Sequence, residues 1–347
     1  MNTAPANRQH GIDLAKAVAI FGVIVIHTCA PGSFPLGSFD FFCSVFWGSI
    51  TRASVPIFFL CSGVLFLNPQ KELPVRKLYS RYILRIAAAL FFWAFAYKLY
   101  YLLAGGTLSL GALVQAAKEV LLFKHEFHLY FLHIILLFYA MLPIVRRFVS
   151  HASRAELRYA LVLWFAVGIL YPTLRPFWPF SLLSGIPSQW LLSQAYAAMG
   201  YGLLGFYLKR YGISLRASIL SAAAGFSIVF GGTVGMSLFT GAFYAGFFEG
   251  MTVGPALLAA GAFGLFLHAS EHLRGKGAAL VTYLSKASFC VYLVHVFVLN
   301  VFTHFGITAH LFLPALSIPV VSVCNLGVSL CVYFVLSKIP VVNRWLI

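Results

Sequence analysis

Asp13, Lys16 and His27 stand in one otherwise apolar stretch, Gly11–Ala30, and these residue types can hold an anion, carry charge and move a proton. Ten residues separate Lys16 from His27, and at about 1.5 Å of rise per residue they lie roughly 16 Å apart along a helix, half the thickness of a bilayer core. Ionisable groups at that depth cost free energy unless they line a polar path, so they read as a functional site. The imidazole of His27 is suited to general-base or nucleophilic work. Asp13, one turn before Lys16, is placed to pair with it and lower its insertion cost.

The elements that must position these groups are membrane helices. Of 347 residues, 61% are hydrophobic and only 9% charged, with a mean hydropathy of +0.91; soluble domains do not reach such values. The expected fold is an all-α integral membrane protein of about ten transmembrane helices, over 14–30, 46–67, 81–104, 129–146, 157–172, 189–208, 214–231, 253–270, 286–303 and 313–337. Thr107–Phe123, with Lys118, Glu119 and Lys124, reads instead as an amphipathic helix on the surface. With both termini cytoplasmic, nineteen of the twenty-four Lys and Arg fall on the inside, so the formal charge of +16 reads as topology and not as affinity for nucleic acid. The first helix is a retained span, because Pro31-Gly32 follows it in place of a small-x-small cleavage site. We expect one membrane domain over 1–347, with a short cytoplasmic N-terminus at 1–13 and no fused soluble domain.

Other residues could join the chemistry. Arg52 precedes Ser-Val-Pro56-Ile-Phe-Phe and Ser62-Gly63, a stretch that packing alone would also explain. Arg76, Arg81 and Arg85 enter the third span. Arg81 and Arg85 are one turn apart on one face, suited to clamping phosphate oxygens or to anchoring in anionic lipid. His128 and Tyr130 open the fourth span, where Tyr130 also suits the membrane interface. Eight glycines fall between Gly225 and Gly254, and Glu249 among them marks a re-entrant segment, a cavity mouth or a loop. His295 falls mid-span in the ninth helix, as a catalytic group or as a hydrogen-bonded strut. The six cysteines have no metal-ligand spacing, so no metal site is expected; Cys29 and Cys43 flank the first loop and could pair if it faces an oxidising compartment.

These pieces occur in an order that resembles the membrane acyltransferase 3 family. Lys16-x10-His27 is similar to its first-helix signature, and VPIFFLCSG (55–63) to its second-span pattern. The basic run at 76–85 has an Arg-x-x-x-Arg spacing where family members commonly have Arg-x-x-Arg. HLYFLHIILLFYAMLP (128–143) carries Tyr130 in place of the usual Trp, and SKASFCVYLVH (285–295) resembles the family's late motif. Ile135 stands where many members have Glu, which resembles the branch typified by the enterobacterial common antigen O-acetyltransferase.

The resemblance implies transfer of a short acyl group, most often acetyl, from acyl-CoA to a sugar hydroxyl of a cell-envelope glycan, in the bacterial inner membrane. It implies His27, Lys16, His295 and Asp13 as catalytic groups. Arg76, Arg81 and Arg85 would hold the coenzyme, and Arg52, Ser62, His128, Tyr130 and Glu249 the acceptor. Acetyl-CoA would be a co-substrate with no bound cofactor; the partners are the donor, the glycan and membrane lipid, with homo-oligomerisation left open. A secondary transporter or flippase is the rival, since it too needs a polar intramembrane path, although it would favour inverted repeats that are not found here.

Overall fold

The computed structural model describes residues 9–183, 185 and 194–347. Among them there are helices, turns and no strand, and nine helical stretches are long and apolar enough to cross a membrane. In chain order the helices are α1 His10–Cys29, α2 Phe39–Thr51, α3 Ser54–Phe66, α4 Val75–Ala104, α5 Leu110–Leu121, α6 Tyr130–His151 and α7 Arg154–Leu174. They continue as α8 Gln194–Tyr211, α9 Leu215–Thr240, α10 Val253–Ala269, α11 Gly275–His304, α12 Pro314–Leu336 and the short α13 Pro340–Trp345. The expected span 189–208 overlaps α8, and residues 189–193 of it lie outside the described residues. The amphipathic helix expected within 107–123 is α5, with Leu110 and Leu121 exposed.

Helix α1 is the centre around which the others gather. Ile12, Ala15, Ala19, Ile20, Val23 and Ile24 are all buried, and they pack it against α3, α10, α11 and α12. Such burial on every side leaves little room for a polar group, so each one retained needs a partner or a cavity. Small residues set the closest approaches. A Cβ on Gly22 would lie 2.1 Å from Ser54 Oγ on α3, and one on Gly63 would lie 1.8 Å from the carbonyl oxygen of Gly202 on α8. Glycine is what lets these backbones touch.

The second span differs from its expected form. Where one helix over 46–67 was expected, α2 and α3 meet at a break at Arg52-Ala53. Pro56 has no N–H to give the carbonyl of Arg52, and the hydroxyls of Thr51 and Ser54 bond back to Trp47 O at 2.7 Å and Thr51 O at 2.7 Å. The sequence signal was Pro56, read as a packing feature and not as a break.

A second difference falls in α4, whose residues Leu78–Ile83 form a π-helical turn. The wider turn shifts the angular register between Arg81 and Arg85. Arg81 and Arg76 are exposed while Arg85 is half-buried, so the two arginines expected on one face differ in burial. The glycine-rich stretch resolves into the continuous α9, a stop at Gly241 with φ +73°, and a short loop with Glu249. Cys29 and Cys43 are free thiols.

Candidate active site

Two cavities lie end to end beside α1. The smaller, about 320 Å³, is lined by Lys16, Arg85 and Lys286, by Ser62, Tyr82 and Tyr139, and by apolar side chains. The larger, about 630 Å³, is lined by His27, Arg52, His128, Tyr130 and Glu249 together with several aromatic rings. Val23, Val55, Phe131 and Tyr292 line both. They therefore form a thin septum, with Lys16 on one side and His27 on the other, because both residues belong to one helix about three turns apart.

The charge content of the two chambers differs. Lys16, Arg85 and Lys286 are three cations with no carboxylate in the lining, a surface that suits phosphate oxygens. Arg85 Nη2 donates to the carbonyl oxygen of Ile347, and the indole of Trp93 donates to Leu346 O at 2.9 Å, so the segment after α13 is fastened beside this chamber. Asp13 does not bridge to Lys16: it accepts the Ser285 hydroxyl at 2.6 Å, tying the start of α1 to α11, while the ion pair found among the described residues is Lys98–Glu119.

Around the larger cavity the histidines gather. The rings of His27 and His295 have centroids 5.3 Å apart, as do those of His128 and His295. His295 is fully buried. Its Nδ1 lies 2.7 Å from the carbonyl oxygen of Tyr292, and a carbonyl only accepts, so Nδ1 carries the hydrogen and Nε2 of the neutral ring is an acceptor. Asn325 Nδ2 donates to the His295 carbonyl at 2.9 Å, and Ser329 donates to Asn325 Oδ1 at 3.1 Å. Thus α12 braces the turn of α11 that carries His295. His128 is buried, and its carbonyl accepts the Tyr292 hydroxyl at 2.5 Å.

Arg52 stands at the α2–α3 break with its guanidinium 4.0 Å from the centre of the Phe248 ring. Tyr130 and Glu249 are exposed at the rim. Of the residues expected to hold an acceptor, Arg52, His128, Tyr130 and Glu249 thus come together. Ser62 does not: its hydroxyl bonds back to Phe58 O at 2.8 Å and it lines the smaller chamber. Of the three arginines expected to hold the coenzyme, Arg85 alone reaches a cavity. Lys286 and Tyr292 carried no role in the sequence reading, although both lie inside the motif 285–295 that drew attention to His295.

A bundle of membrane helices enclosing a histidine-lined chamber and a cationic one, parted by four side chains, defines a polytopic membrane protein. The family model described as an acyltransferase domain matches residues 9–334. The chain therefore belongs to the acyltransferase 3 family and is a multi-pass membrane acyltransferase. No curated protein and no solved structure matches it.

Proposed function

We propose that the protein moves an acetyl group from acetyl-CoA to a sugar hydroxyl of a cell-envelope glycan, at His27. The observation that carries this reading is the septum, which sets the cationic chamber of Lys16, Arg85 and Lys286 against the chamber of His27. A coenzyme held by its phosphates on the cationic side needs only its thin pantetheine arm to pass Val23, Val55, Phe131 and Tyr292. Cytoplasmic termini, favoured by the nineteen inward Lys and Arg, would put that chamber on the side where acetyl-CoA is made. The bacterial inner membrane is the location this implies, and Ile135 supports the branch that acetylates enterobacterial common antigen.

In the reaction, His27 takes the proton of the attacking hydroxyl as its oxygen adds to the thioester carbonyl carbon. The carbon–sulfur bond then breaks, and the coenzyme thiolate leaves and receives that proton. Arg52 is the cation nearest to hand for the developing oxyanion or for the acceptor. Passage through an acetyl-imidazole on His27 uses the same groups, and label retained on the protein without acceptor separates the two routes.

The test is His27→Ala in purified protein. Loss of a positioned base costs about 10² to 10⁴ in rate, so transfer should fall at least a hundred-fold while acetyl-CoA binding and thermal stability stay near wild type. Substantial retained transfer removes the assignment, and loss of folding returns His27 to a structural role.

A further inference from the structure

Arg52 lies within a membrane-crossing stretch, yet its counter-charge in the protein is incomplete. Its Nε is buried without a hydrogen-bond partner. Among the described residues no ion pair that involves Arg52 is found. The contact that stabilises it is the face of Phe248, and such a contact contributes far less than a buried cation loses on leaving water. Glu249 lines the same cavity but is exposed at its rim, where solvent screens it.

The rest of the larger cavity has no second cation: the groups that accompany Arg52 are His27, His128, Tyr130, Tyr292 and Glu249. At about 630 Å³ the cavity has the size of a small-ligand site, and the exposed ring of Phe127 supplies a flat apolar face of the kind on which a sugar ring rests. A guanidinium in such a place matches one ligand chemistry best. Its planar fork meets two oxygens of a carboxylate or phosphate at once, and it stays charged at any working pH.

We propose that the acceptor is anionic: a sugar unit bearing a carboxylate or phosphate that Arg52 binds, with the reacting hydroxyl of that unit held toward His27. This rests on the transferase reading above and adds the chemical class of the acceptor. Glu249 at the rim then has two effects. It accepts hydroxyls of the incoming sugar, and it repels the anionic group from the mouth, so the ligand enters with its charge directed inward to Arg52.

Membrane vesicles from producing cells, supplied with radiolabelled acetyl-CoA, give the test. The labelled glycan is cut to single units without deacylation and resolved by anion exchange. Label in units carrying a carboxylate or phosphate is expected; phosphatase treatment distinguishes the two, because only phosphate-bearing units then lose retention. Label confined to neutral units overturns the proposal. In purified, folded protein Arg52→Gln should raise the KM for the anionic glycan at least tenfold and Arg52→Lys should restore part of it, while the affinity for acetyl-CoA, held in the other chamber, stays within twofold of wild type. A fall in kcat with the KM for the glycan unchanged would mean that Arg52 serves the thioester and not the acceptor, and would overturn the inference while leaving the transferase intact. No acceptor-dependent label from wild type at all would instead remove the transferase reading, and this one with it.

Discussion

His27 on α1 and His295 on α11 face each other with ring centroids 5.3 Å apart and planes tilted by 32°, and His295 is the one whose tautomer the backbone fixes. Since the Tyr292 carbonyl holds the Nδ1 hydrogen, the unprotonated Nε2 is presented within the cluster, where it can receive an N–H from His27 and set that ring's orientation. His295 lies outside the cavity lining, so it acts through His27 as a positioning residue. His295→Gln should lower kcat by about 10- to 100-fold, less than removal of the base itself, with KM for both substrates near wild type. The pH profile of kcat should change shape, which a purely structural role would not produce.

Arg85→Gln and Arg81→Gln should differ. A charge-assisted hydrogen bond is worth about 1.5–3 kcal/mol, or roughly 10- to 100-fold in affinity. Calorimetry should show that loss for acetyl-CoA with Arg85→Gln, and less than a twofold change with the exposed Arg81 replaced. Equal losses would mean that the π-helical turn does not separate the two in solution.

Phe131→Ala should weaken the septum. A wider passage around the pantetheine arm lets water enter beside the thioester presented to His27. Acetyl-CoA consumption without acceptor, read by thiol release, should rise at least tenfold, and transfer should persist. Unchanged consumption in a folded variant would show that the septum does not seal.

Gly63→Ala should destabilise strongly, because its Cβ would fall 1.8 Å from Gly202 O. Overpacking of this kind costs typically about 1–3 kcal/mol and here meets rigid backbone. A lowered Tm in detergent is the readout; Gly111→Ala, where a Cβ meets nothing within 4 Å, is the control.

The link between α4 and α5 should respond to acid. Lys98 holds the Glu119 carboxyl below the usual carboxylate range, through their hydrogen bond at 2.5 Å. A depressed folded value means that the link contributes fully above the unfolded value of about 4.3 and is lost as pH falls through the lower one. Hydrogen exchange in α5 should therefore be protected equally at pH 8 and pH 6 and lose protection below about pH 4. Glu119→Gln should remove that acid dependence.

The helical fold was legible because membrane spans declare themselves by length and hydropathy, and His27, Lys16 and Arg52 were legible because ionisable residues in such spans are rare. What stayed hidden depends on angles that composition does not encode. The π-helical turn that parts Arg81 from Arg85 has no sequence signature of its own. The place of Tyr292 is set by the packing of α11 on α1 and by its hydroxyl bond to the His128 carbonyl, and Ser62 looked like a ligand-facing hydroxyl although a bond to Phe58 O satisfies it. Lys286 was counted toward topology, and only the packing of α11 turns it toward the same chamber as Lys16.

The fastening of Ile347 to Arg85 and of Leu346 to Trp93 has a practical side. Any peptide joined after Ile347, such as an affinity handle or a fluorescent reporter, would emerge beside the chamber that carries Lys16 and Arg85, pulling on the arginine expected to meet the coenzyme. A preparation made that way could be abundant, well folded and still misleadingly slow, and the exposed turn at Gly241 between α9 and α10 is a safer place to attach the handle.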